Sequence, residues 1–152
     1  MSKKIALLRR RDIFNYIEDG MFIRPDCGWD LLSISDTDKE KIEVGGYFMS
    51  EVKFKNPKIS GYFTKFLDIN GERSGFTVGV AKGIIRFLKE TDRKNRSLII
   101  QCSKGFSRGI AITNFAVEHF NSFEHPNVAA YGEPNQFVYS QLEKVYNSCN
   151  SR

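Results

Sequence analysis

One stretch of the chain pairs residue types with a spacing that can do chemistry. It reads Leu98-Ile99-Ile100-Gln101-Cys102-Ser103-Lys104-Gly105-Phe106-Ser107-Arg108-Gly109. An apolar run leads into Cys102, five residues follow, and Arg108 opens an apolar segment with helical spacing. A short loop at a helix N-terminus turns its backbone N–H groups inward, and the helix dipole adds positive potential, so residues 103–108 make an anion cradle. The same donors favour a thiolate, and the pKa of Cys102 is expected to fall from ~8.5 toward ~4–6. Arg108 can fold back and grip two oxygens of a tetrahedral dianion. Lys104 adds charge inside the loop. The chemistry on offer is capture of a phosphate-like group, or nucleophilic attack on it.

The other candidates for chemistry are weaker. Cys27 and Cys149 complete a set of 3 cysteines with wide spacings and no Cys-x-x-Cys pair, which argues against a zinc cluster and against a disulfide framework. The N-terminal apolar run, Ile5-Ala6-Leu7-Leu8, is too short for a signal-peptide core. Reduced thiols and a cytoplasmic location are therefore expected. His119 and His125 have no metal-type partner at close spacing, and His119 falls in the last turn of a helix, where the dipole accounts for it. No metal and no cofactor is expected.

The elements that must position the loop follow from the apolar pattern. Ile5-Ala6-Leu7-Leu8, Asp30-Leu31-Leu32-Ser33-Ile34-Ser35 and Ser97-Leu98-Ile99-Ile100-Gln101 read as short buried strands. Tyr47 to Lys55 and Tyr62 to Leu67 are further strands between turn signals at Gly45-Gly46, Asn56-Pro57 and Asn70-Gly71. Asp12 can cap a first helix that Gly20 stops. The spacing of Val78, Ala81, Ile84, Ile85 and Leu88 predicts a helix over 77–91, Arg108 to Phe120 another, and Asn135 caps a last one carrying Phe137, Val138, Leu142 and Val145. Strands alternating with amphipathic helices predict an α/β domain with a mostly parallel sheet covered by helices on both faces. In such sheets the ligand lies beyond the carboxyl ends of the strands, which is where Cys102 falls.

Composition sets the bounds. At 152 residues, 41% of them hydrophobic, one domain over 1–152 is expected. Folding at this size buries about 70% of the unfolded surface, enough for a core without staples. No apolar run approaches the ~18 residues of a membrane span. The net charge of +5 suits a phosphorylated, acidic or nucleic-acid partner as well as a solubilising surface. Lys3 to Arg11 is the densest basic stretch and is expected to be a solvated face.

The loop, with Gly105 three residues after Cys102, resembles that of the cysteine-based protein tyrosine phosphatases, most of all their small dual-specificity branch, where it runs His-Cys-x5-Arg-Ser/Thr between a strand and a helix. The likeness extends to the early strands, the helix over 77–91 and Pro134-Asn135 opening the last helix. It implies a metal-independent phosphate-monoester hydrolase. Cys102 is then the nucleophile that forms a thiophosphate. Ser103, Lys104, Gly105, Phe106, Ser107 and Arg108 bind phosphate. Asp68, 34 residues before Cys102, is the general acid and then the general base. Asp36 and Asp38 are rivals on an early polar loop, expected to face solvent. The implied partner is a phosphorylated protein or another phosphomonoester. Lys104 suits highly anionic ones such as a phosphoinositide or an RNA 5′ phosphate. A monomer is assumed.

Two positions depart from the family's pattern. Gln101 stands where the family has His, and its amide can replace part of that side chain's hydrogen bonding to the loop. Gly109 stands where the family has a hydroxyl that donates to the sulfur. Its absence is expected to slow hydrolysis of the phosphoenzyme, and Gly109→Ser to speed it. Two readings stay open: an active phosphatase, and a weak or inactive pseudophosphatase that holds a phosphorylated or nucleic-acid partner in the same cradle.

Overall fold

The structure, a computed structural model, describes residues 3–9, 17–18, 22–23, 28–36, 53–54, 61–102, 106–120, 123–124, 126 and 132–150. The apolar runs form parallel strands. β1 (Ile5–Arg9), β4 (Trp29–Ser35), β6 (Gly61–Lys65) and β7 (Ser97–Cys102) make a four-stranded sheet in the order β1-β7-β4-β6, every neighbouring pair parallel. Register places Ile5 beside Leu98, Leu31 beside Ile99, and Gly61 beside Leu31. Parallel neighbours require crossovers, and one of them, α1 (Val78–Arg93), carries the chain from β6 toward β7. After β7 come α2 (Ser107–His119) and α3 (Gln136–Asn150).

Strand alternation decides the core. Ile5, Leu7, Leu32, Ile34, Leu98, Ile100 and Cys102 face one cluster with the buried stripes of all three helices. The opposite face of the sheet is buried too: Leu31, Ser33, Ile99 and Gln101 are at most 3% exposed. α2 is the central helix. Ile110, Ala111, Ile112, Phe115 and Ala116 leave it almost no exposed apolar side chain, and it packs against both the sheet and α3. Thr77 caps α1 by accepting the Val80 N–H at 3.2 Å, and Asn135 Oδ1 caps α3 by accepting the Val138 N–H at 3.1 Å.

The α/β architecture with its parallel sheet is the one expected, and one element differs from expectation. Ile17–Glu18, placed above in a helix over 12–20, is instead a strand, β2, antiparallel to β3 (Phe22–Ile23), which pairs in parallel with β5 (Lys53–Phe54) in a second, three-stranded sheet. β-branched Ile17 lies opposite β-branched Ile23, a pairing that suits a ladder better than a helix. Of the strand expected over 47–55, Lys53 and Phe54 are a strand; 47–52 and 55 lie outside the described residues. Lys3 is not on a solvated face. It is 4% exposed, its ammonium is paired with Asp92 and lies 4.4 Å from the centre of the Phe123 ring. Arg10 and Arg11 lie outside the described residues. No helix among the described residues is long and apolar enough to cross a membrane.

Candidate active site

Three neighbouring parallel strands end together, and each end delivers one part of the site. β7 ends at Cys102, whose side chain follows Leu98 and Ile100 onto the core face and is fully buried. Its sulfur accepts the backbone N–H of Gly109 in the first turn of α2. A Cβ at Gly109 would lie 3.0 Å from Cys102 Sγ, 3.0 Å from Leu7 Cδ2 and 3.4 Å from Ile100 Cγ2. Glycine is what lets the helix start sit this close to the thiol. The expected gain from Gly109→Ser therefore meets a steric obstacle: a serine must push the sulfur aside before its hydroxyl can donate to it.

Arg108 is 1% exposed and spans the ends of the next two strands. Its Nη1 donates to Asp36 Oδ1 at 2.7 Å, just past β4, and to the Phe66 carbonyl at 2.5 Å, just past β6. The Phe66 ring centre is 5.8 Å from the guanidinium carbon. Among the described residues Arg108 Nε has no hydrogen-bond partner. A buried guanidinium with an unspent Nε–H has a donor to offer an anion. Asp36, expected to face solvent, is instead the counter-ion of the site's arginine. Its place at the carboxyl end of a parallel strand was the available signal. Asp38 lies outside the described residues, as do Ser103, Lys104 and Gly105; Phe106 and Ser107 lead into α2, whose N-terminus carries no side-chain cap.

Asp68 follows Phe66 by two residues on an exposed turn closed by Leu67 N–H donating to the Ser74 carbonyl at 2.7 Å. Its Oδ1 accepts from Asn135 Nδ2 at 2.9 Å. Asn135 is 6% exposed and ties three segments together. Its Nδ2 also reaches the Ile69 carbonyl at 3.3 Å, its backbone N–H donates to the Ser107 carbonyl at 3.0 Å, and its Oδ1 caps α3. The acid turn, the start of α2 and the start of α3 are thus fixed to one side chain. The sequence marks Asn135 as a helix cap; the tether to Asp68 is a contact across 67 residues that local spacing does not carry.

The electrostatics reverse one expectation. Burial pushes the Cys102 thiol up to about 12, against the lowering influence of Arg108 and of the Gly109 N–H; Asp68 and Asp36 push the same way as burial. The expected depression fails because the thiol is wholly desolvated and the arginine beside it is already paired with Asp36. Gln101 alternates onto the face opposite Cys102. Its Oε1 accepts from Ser33 Oγ at 2.5 Å, and among the described residues its buried Nε2 has no partner; the loop residues 103–105 that it is expected to reach lie outside the described residues.

The remaining candidates stand apart. Cys149 is exposed on α3, and Cys27 and His125 lie outside the described residues. His119 has the partner its sequence neighbours do not supply: Glu143, on α3, whose Oε1 accepts from His119 Nε2 at 2.6 Å. Glu118, His119 and Glu143 bring potential metal ligands within 4.8 Å of one another, and Tyr139 donates its hydroxyl to Glu118. These contacts, with the Phe115 and Tyr146 rings against the imidazole, account for the group as structure. Comparison with known proteins finds no matching family model, no matching curated protein and no matching solved structure.

Proposed function

We propose that the chain is a phosphate-monoester hydrolase of the cysteine-dependent type. The observation that carries this reading is the convergence of Cys102, Arg108 and Asp68 at the carboxyl ends of adjacent parallel strands, with the Gly109 N–H on the sulfur. An arriving phosphate displaces Asp36 from Arg108, and the guanidinium's unspent Nε–H is a further donor on that side chain. Once the thiol has lost its proton, Cys102 attacks phosphorus in line, forming the S–P bond as the ester P–O bond breaks. Asp68, protonated, gives its proton to the leaving oxygen. In the second step Asp68 takes a proton from the water that attacks phosphorus, and the S–P bond breaks. Arg108 and the uncapped N–H groups of α2 hold the equatorial oxygens best in the transition state.

The same site supports a second reading, a binding module that captures a phosphorylated partner without turnover. Two observations favour it: the fully buried thiol pushed up to about 12, and the Asp36 carboxylate occupying Arg108. Hydrolysis of an aryl phosphate by wild type and by Cys102→Ser, beside calorimetric titration of both with vanadate, separates the two. The hydrolase predicts turnover that Cys102→Ser loses by ~10³-fold or more while an anion still binds. Anion binding with no turnover in wild type selects the binding module. No anion binding that depends on Arg108 overturns both.

A further inference from the structure

Away from this site, the seam between α1 and α3 is open. Two confluent hollows of about 210 and 300 Å³ lie along it, sharing Lys82, Val145 and Cys149 in their walls. Lys82, Arg86 and Lys89 follow one another at four- and three-residue steps on α1, a stripe ~10 Å long at 1.5 Å per residue. Lys144 faces them from α3. Among the described residues no acidic side chain lines either hollow. Among the described residues no carboxylate pairs with Lys82, Arg86 or Lys144, and Lys89 rests over the Tyr146 ring at 5.6 Å. The floor is aliphatic: Ile85 and Val145 are buried there, and Val78, at 49% exposed, is the most exposed large apolar side chain described.

We propose that this groove docks an acidic amphipathic helix of a partner protein. Cations at four- and three-residue steps match carboxylates at helical spacing, and the aliphatic floor between cationic walls accepts the apolar stripe of the same helix. Nucleic acid shares the charge complementarity but wants aromatic faces for its bases, and among the described residues no exposed aromatic lines the groove. The docking is independent of the phosphate chemistry, since no residue of the groove belongs to the site at the strand ends.

The test uses the full chain and a fluorescein-labelled 18-residue peptide with Leu on one helical face and Glu elsewhere. Anisotropy in low salt should show saturable binding that weakens as salt rises, and the same peptide with Lys for Glu should not bind. Lys82→Glu with Arg86→Glu should weaken the Glu peptide at least ~10-fold, since like charges then face each other. Lys144→Glu, on the other wall, should weaken it independently and guards against a fold defect in the first variant. Peptide should also slow alkylation of Cys149, followed by mass spectrometry of that cysteine alone. Binding that ignores both sets of reversals, absence of binding, or unprotected Cys149 overturns the proposal. A single-stranded RNA oligonucleotide that binds more tightly than the peptide, and is lost with the same reversals, overturns it in favour of a nucleic-acid surface.

Discussion

The parallel sheet buries charge at both of its ends, in opposite ways. At the amino ends, Asp30 is fully buried and saturated: it accepts from Thr91 Oγ1 at 2.9 Å and Arg96 Nε at 2.9 Å, and Lys94 Nζ lies 2.9 Å away. Arg96 spends a further N–H on the Trp29 carbonyl. At the carboxyl ends, Arg108 is as deeply buried but among the described residues leaves Nε without a partner, and its partner Asp36 is 37% exposed. Buried polar groups are normally satisfied, because an orphaned donor costs about 1–3 kcal/mol. The amino-end cluster closes on itself, and the carboxyl end keeps a guanidinium donor unspent; the proposed phosphate site uses that difference.

The largest expected effect breaks this contrast into two measurements. Asp30→Ala leaves Lys94 and Arg96 without their carboxylate and should cost about 3 kcal/mol, the lower range for a broken buried pair because both cations are partly exposed. For a chain of this size that is a fall in Tm of roughly 6–12 °C. Phosphate or vanadate affinity, corrected for the unfolded fraction, should not change. Arg108→Met should do the reverse, with stability within about 1.5 kcal/mol of wild type because an imperfectly satisfied charge is replaced by an apolar chain, and anion binding abolished. Thermal melts and anion titrations of both variants check this. Equal destabilisation by the two, or equal loss of anion binding, would erase the distinction between the ends.

Gly109 tests how tightly the carboxyl end is packed. Gly109→Ala puts a methyl 3.0 Å from both Cys102 Sγ and Leu7 Cδ2, and overpacking of this kind should cost about 1–3 kcal/mol even though alanine favours helix. Gly109→Ser should cost a similar amount and give no faster turnover. Denaturant unfolding of the two variants measures it. A neutral or stabilising Gly109→Ala would mean the sulfur moves away freely.

Asn135→Asp separates capping from positioning. The carboxylate still caps α3, while the Nδ2 donor to Asp68 is replaced by a like charge. Stability should stay within about 1 kcal/mol of wild type, as the retained cap predicts. If the site turns over, kcat should fall roughly 10-fold, since the acid's tether to the starts of α2 and α3 is lost and a like charge takes its place. An unchanged kcat would reduce Asn135 to a helix cap.

Legibility in the sequence followed the range of the interaction. β1, β4, β7 and α1 were readable because their apolar residues recur locally at the period of the element, and Cys102 and Arg108 because one short loop holds both. Arg108 with Asp36, Asn135 with Asp68 and His119 with Glu143 were not, since each joins residues 24 to 72 positions apart. Nor was the basic groove: Lys82, Arg86 and Lys89 look scattered in a list of letters and become a stripe only on a helix. The thiol's pKa was misjudged for a related reason. Motif spacing names the donors around Cys102 but says nothing of its complete burial or of the carboxylate already on Arg108.

The smallest effect concerns that thiol and has a definite sign. In the folded chain burial raises Cys102 from its ordinary value of 9.0 to about 12. Folding therefore favours the protonated thiol. The contribution is fully present below about pH 9 and is lost as pH rises from there through about 12, because the unfolded chain releases the proton first. At pH 9.5 the loss should be about 0.8 kcal/mol, from an unfolded thiol titrating near 9. Cys102→Ala removes this component along with some packing, so its stability relative to wild type should improve between pH 8 and pH 9.5 by that amount, while the packing loss stays constant. Denaturant unfolding of both proteins at the two pH values gives the difference directly, with other alkaline groups cancelling. A difference of the opposite sign would mean that Arg108 and the Gly109 N–H outweigh burial and that the thiolate is the favoured form. The carboxyl end of the sheet would then be poised for attack before any anion arrives, rather than after one has displaced Asp36.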